Sequence, residues 1–115
     1  MTERWGQQMI NLTIRNFDRE ILSSIKPCVV IFKSEECHLC QEILPAINRL
    51  QKIFTEFKFA LVDTKAEEDL GEILSINGVP TIFVFSGGDS WEVNYPEDGY
   101  TEEYLTNCLE NFFKK

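Results

Sequence analysis

The stretch Cys28-Val29-Val30-Ile31-Phe32-Lys33-Ser34-Glu35-Glu36-Cys37-His38-Leu39-Cys40 runs from continuous apolar character through a charged segment into a CxxC pair. An unbroken apolar run of this length, closing in a charge, predicts a central strand covered on both faces. Beyond it, Leu39, Ile43, Ala46, Ile47, Leu50, Ile53 and Phe54 recur every three or four residues and predict an amphipathic helix, with Pro45 expected to bend it. The CxxC pair therefore opens a helix. A thiol in a first helical turn lies among unpaired backbone N–H groups at the positive end of the helix dipole, which favours the thiolate and makes Cys37 the candidate nucleophile. Cys40, three residues on, shares that helical face and can close a disulfide with Cys37 after small adjustment. Such a pair can exchange electrons with a disulfide in another protein.

Working outward, Met9 to Thr13 predicts a short strand, and Asn16 to Leu22 a short helix with Asn16 as its cap, stopped before Pro27. Phe59-Ala60-Leu61-Val62-Asp63 reads as a second buried strand. The acidic run Glu67-Glu68-Asp69 then opens a second helix, expected to end near Ile76 with Asn77-Gly78 as its stop. This makes a β-α-β unit with parallel strands and a right-handed crossover. Thr81 to Phe85 forms another strand, and Gly87-Gly88 predicts a hairpin into Trp91 to Tyr95, so part of the sheet is antiparallel. Thr101 is placed to cap a last amphipathic helix carrying Tyr104, Leu105, Cys108, Leu109, Phe112 and Phe113.

Composition narrows the function classes. A chain of 115 residues without repeats or low-complexity linkers makes one domain, 1–115. The four cysteines are too unevenly spaced for the disulfide framework of a small secreted protein. Cys28 and Cys108 fall on apolar faces, where cysteine acts as a small hydrophobe. With one histidine and no second CxxC, a zinc site is not expected, and no cofactor is implied. The net charge of −8 repels nucleic acid and anionic membrane surfaces, so neither is an expected partner. The polar start Met1 to Gln8 and the absence of a long apolar run predict a soluble, cytoplasmic protein. Trp5 and Trp91 read as scattered aromatics rather than a contact surface.

The element order with CxxC opening a helix resembles the thioredoxin family over essentially the whole chain. Pro45 matches the proline that bends that family's active-site helix, Asp63 ends the following strand, and Val79-Pro80-Thr81 matches its cis-proline motif. Phe85, Gly88 and Asp89 are similar to its hairpin, and Gly99 precedes the final helix as it does there. The resemblance implies an α/β thioredoxin fold whose central mixed sheet, of about four or five strands, is flanked by helices. It implies that Cys37 attacks a substrate disulfide, that Cys40 resolves the mixed disulfide, and that Val79 and Pro80 receive the substrate segment. The implied partners are disulfide-containing proteins and an electron-donor reductase, with a monomeric enzyme and reduction as its direction in a cytoplasmic pool. Other readings of the same resemblance are a non-catalytic module that captures peptides at Val79-Pro80, and a glutaredoxin-like or disulfide isomerase enzyme.

Departures from the family pattern surround the cysteines. Glu36 stands where thioredoxins carry Trp, His38-Leu39 replaces Gly-Pro, and Ile31 takes the place of a buried Asp. Proton transfer at Cys40 must then take another route. His38, when protonated, favours the Cys37 thiolate, whereas Glu35 and Glu36 oppose it by like charge. The same glutamates are expected to favour basic or polar docking surfaces over acidic ones.

Overall fold

A computed structural model describes residues 9–112; Trp5 and Phe113 lie outside the described residues. The sheet has five strands in the order β1-β3-β2-β4-β5: β1 Ile10–Asn11, β2 Cys28–Lys33, β3 Lys58–Asp63, β4 Thr81–Ser86 and β5 Asp89–Val93. Strand β2 is central. It pairs in parallel with β3, Lys33 opposite Asp63, and antiparallel with β4, Phe32 opposite Thr81. Three helices, α1 His38–Ile53, α2 Glu68–Ile73 and α3 Glu102–Phe112, accompany the sheet, together with one π-helical turn at Asp18–Leu22.

Two-residue alternation along the strands sorts the core into two layers. Val29 and Ile31 of β2 turn toward Ile43, Ile47 and Leu50 of α1 and Leu105 and Leu109 of α3. Cys28, Val30 and Phe32 turn the other way, toward Phe17, Ile21 and Leu70. Every residue from Cys28 to Phe32 is buried, as expected for a strand covered on both sides. Each large side chain removed from water here contributes about 1.5–3 kcal/mol. The exposed side of α1 carries Pro45, along with Leu39 and Ile53, which the apolar periodicity had placed in its buried stripe.

Several local devices fix the ends. Gly87 and Gly88, with φ of 60° and 88°, turn β4 into β5 through the two-residue hairpin that positive φ permits. The Thr101 hydroxyl accepts the Tyr104 N–H at 3.1 Å and so caps α3. Four expectations need correction. The last strand begins at Asp89, directly after the Gly87-Gly88 turn, and ends at Val93, which leaves Tyr95 in the loop beyond it instead of in a Trp91–Tyr95 strand. The first strand is shorter than Met9–Thr13. Asn16 does not cap a helix: its side chain accepts from Thr13 N–H and donates to the Asn11 carbonyl, closing a loop. Helix α2 stops at Ile73, short of Asn77-Gly78, because Ser75 takes a left-handed φ of 59° and the N–H groups of Ser75 and Ile76 bond back to Glu72 and Gly71. That is the Schellman ending, made here without glycine.

Candidate active site

Beyond Lys33 the chain leaves the sheet in a tight turn in which Cys37 N–H donates to the Ser34 carbonyl at 3.2 Å. Cys37 is the extended residue immediately before α1, with φ −81° and ψ 110°, and its carbonyl accepts the Gln41 N–H. Its sulfur takes the role that a serine or aspartate oxygen fills in other helices. The Cys40 N–H donates to Cys37 Sγ at 3.1 Å, so the sulfur caps the helix. A negative sulfur at this point gains both a direct donor and the positive end of the helix dipole. Cys37 and Cys40 are joined as a disulfide with Cα atoms 5.2 Å apart. Cys40 is 0 % exposed while Cys37 is half-buried, so the two residues of the pair differ in their exposure to a partner.

Register brings the second half of the site to the first. Thr81 lies opposite Phe32, so the chain just before β4 runs beside the turn that carries Cys37. The Val79–Pro80 peptide bond is cis, and the Thr81 hydroxyl donates to the Gly78 carbonyl at 2.6 Å, holding this corner. Val79 and Pro80 serve different depressions. Val79 lines a groove of about 460 Å³ with Ser34, Lys65, Glu68 and Glu72. Pro80 lines a smaller pocket of about 240 Å³ with Leu39, Glu42, Tyr95, Glu97 and Asp98.

The charges near the cysteines are arranged by contacts that their spacing does not reveal. Glu36 forms a close ion pair with Lys65, whose ammonium is pushed up from its ordinary value by the hydrogen bond to that carboxylate. The pair presents no net charge, so the like-charge opposition expected from Glu36 is answered by a residue of the turn that follows β3. His38 stands out from the helix with its side chain 92 % exposed, and its Nε2 lies 4.0 Å from Glu42. Ile31 is 0 % exposed and packs in the α1 layer, so its position in β2 supplies no proton carrier. The half-buried pair of Lys33 with Asp63, 4.0 Å apart, lies two residues further along the strand.

Lys65, Ser34, Tyr95, Glu97 and Asp98 line the two depressions without being expected there from sequence. All belong to turns or loops, and the only signal for them was their distance from β2 and β4 along a known topology. Among the described residues there is no cluster of histidine, cysteine and acidic side chains arranged to hold a metal ion. No helix of the described residues is long and apolar enough to cross a membrane.

Comparison with known proteins agrees with this geometry. The thioredoxin family model matches residues 8–111. Protein disulfide-isomerase erp38 of Neurospora crassa is 32% identical over 105 residues, covering 88% of this chain and 28% of that protein. Thioredoxin of Buchnera aphidicola subsp. Schizaphis graminum is 28% identical over 81 residues, covering 70% of this chain and 75% of its own length. The crystal structure of thioredoxin from Trypanosoma brucei brucei superposes with a TM-score of 0.83 at 20% identity, covering 100% of this chain and 98% of that one, a likeness of fold.

Proposed function

The chain belongs to the thioredoxin family, and from that premise we propose that it is a thiol–disulfide oxidoreductase that reduces protein disulfides through Cys37 and Cys40. The observation that carries this reading is the asymmetric pair at the start of α1, the half-buried Cys37 whose sulfur caps the helix and the fully buried Cys40 behind it.

In the reduced protein the Cys37 thiolate attacks one sulfur of the substrate disulfide. That S–S bond breaks, its other sulfur leaves as a thiolate that takes up a proton, and Cys37 is left in a mixed disulfide. Cys40 then loses its proton and attacks Cys37 Sγ, releasing the second substrate thiol and leaving the Cys37–Cys40 disulfide. Two electrons pass from the dithiol to the substrate, and a dithiol donor must restore them. Ile31 carries no proton, so the Cys40 proton leaves by water or by a substrate group. Val79 and Pro80 are assigned to hold the substrate segment on either side of the attacked bond, because each lines a depression with a residue of the segment that carries the cysteines, Ser34 and Leu39 respectively.

Disulfide isomerisation is the second reading, supported by the likeness to protein disulfide-isomerase erp38. The acidic chain, with its two further cysteines unpaired, fits a monomer working in the cytoplasm. Insulin reduction with a dithiol donor tests the proposal. Wild type is expected to accelerate it, Cys37→Ser to fall to background, and Cys40→Ser to accumulate the mixed disulfide. Absence of turnover by wild type, with intact binding of the same peptide, would instead assign a capture module.

A further inference from the structure

The two depressions beside the disulfide differ in charge and in wall chemistry, and the difference defines a substrate class. On the Val79 side, the cation Lys65 stands among the lining carboxylates Glu68 and Glu72 and also pairs with Glu36. On the Pro80 side, Glu97 and Asp98 have no cation partner among the described residues, and Glu42 has only the 4.0 Å approach of His38. The pocket between these carboxylates has apolar walls. Leu39, which lies between the two cysteines in sequence, and Pro80 belong to those walls. Tyr95 and Tyr100 pack edge to face with ring centroids 4.9 Å apart and supply the aromatic side. Gly99 allows Tyr95 to lie so close, because a Cβ there would stand 3.2 Å from the Tyr95 hydroxyl.

A volume of about 240 Å³ is smaller than the roughly 300–1,000 Å³ of a drug-sized ligand site and is of the scale of one long side chain. An aliphatic stem ending in a cation fits all its features. The stem lies along Leu39 and Pro80, the cation meets the carboxylate rim, and a guanidinium also stacks on tyrosine. We propose that this pocket is a specificity subsite that takes an arginine or lysine side chain flanking the attacked cysteine of the substrate. The inference rests on the oxidoreductase reading above and adds to it which disulfides are preferred. It also moves the selection for basic substrates away from Glu36 and onto Glu42, Glu97 and Asp98.

The test uses three model peptide disulfides that differ only in the residue beside the target cysteine, Arg, Gln or Glu, with reduction by the full chain measured under a common dithiol donor. At low salt the order Arg, Gln, Glu is expected, with roughly threefold to tenfold between Arg and Gln, narrowing as salt screens the exposed carboxylates. In Glu97→Gln/Asp98→Asn the Arg-to-Gln ratio falls toward one, and in Glu97→Lys/Asp98→Lys the order inverts. Reduction of all three peptides at one rate by wild type, or an Arg preference that survives neutralisation, overturns the subsite and leaves the oxidoreductase reading standing. Failure to reduce any of the three overturns both.

Discussion

A sulfur stands at each end of β2, and the dipoles facing them have opposite sign. At the start of the strand, Cys28 is 0 % exposed and its sulfur looks at carbonyl oxygens, Lys26 at 3.4 Å and Glu20 at 4.0 Å. Carbonyls accept a proton-bearing S–H and repel a negative sulfur, and burial pushes the Cys28 thiol up from its ordinary value. Past the other end, Cys37 looks at the N–H of Cys40 and the start of α1, which favour the thiolate. The two cysteines thus differ in the dipoles around them and not in residue type. Strand polarity sets that difference, because the chain leaves β2 through a short turn into a helix whose first N–H groups face the next sulfur.

The comparison can be broken by exchanging the fates of the two ends. The largest expected effect is on turnover. Cys37→Ser is expected to lose catalytic reduction altogether, whereas Cys28→Ala keeps it and loses only about 1 kcal/mol of stability, read from urea unfolding. Equal loss of turnover in both would place Cys28 in the chemistry. The apolar middle of β2 keeps the two environments apart, and Ile31→Ala, which opens a cavity against Ile47 and Leu50, is expected to cost about 2–4 kcal/mol in the same unfolding measurement.

Smaller effects sharpen the contrast between the anchored rim and the chemistry it surrounds. The Tyr100 hydroxyl donates to the Val93 carbonyl at 2.7 Å, and burial pushes its phenol from 10 up to about 12. The unfolded chain gives up that proton first, so stability is full below the unfolded value and falls as pH rises from 10 toward 12. Tyr100→Phe is expected to flatten that alkaline loss at a cost of about 1 kcal/mol near neutral pH, checked by thermal melts across the pH range. The smallest effect belongs to Arg49, which bridges α1 to Glu102 of α3 through exposed bonds of 2.7–3.2 Å. Arg49→Ala is expected to lower the melting temperature only slightly, and molar salt to remove the difference.

Features written in contiguous residues were legible from the sequence. The β2 run, the Gly87-Gly88 hairpin, the Thr101 cap and the CxxC at a strand-to-helix junction each carry their physics within a few positions. Features that depend on two distant segments were not. Glu36 reads as a bare negative charge beside Cys37 until β3 brings Lys65 to it. Asn16 has the composition of a cap, yet Thr13 and Asn11 compete for its side chain and win. Ser75 ends α2 in a conformation usually assigned to glycine, so Gly78 was the natural but wrong stop. Tyr95, Glu97 and Asp98 reach the pocket only through the loop after β5, where no periodicity marks them.

Site-resolved alkylation of the reduced, folded protein tests the role of backbone polarity most directly. With iodoacetamide at neutral pH, Cys37 is expected to react several-fold faster than free cysteine while Cys28 stays unmodified until the chain is unfolded. Labelling of Cys37 no faster than free cysteine, or of Cys28 alongside it in the folded state, would contradict the account.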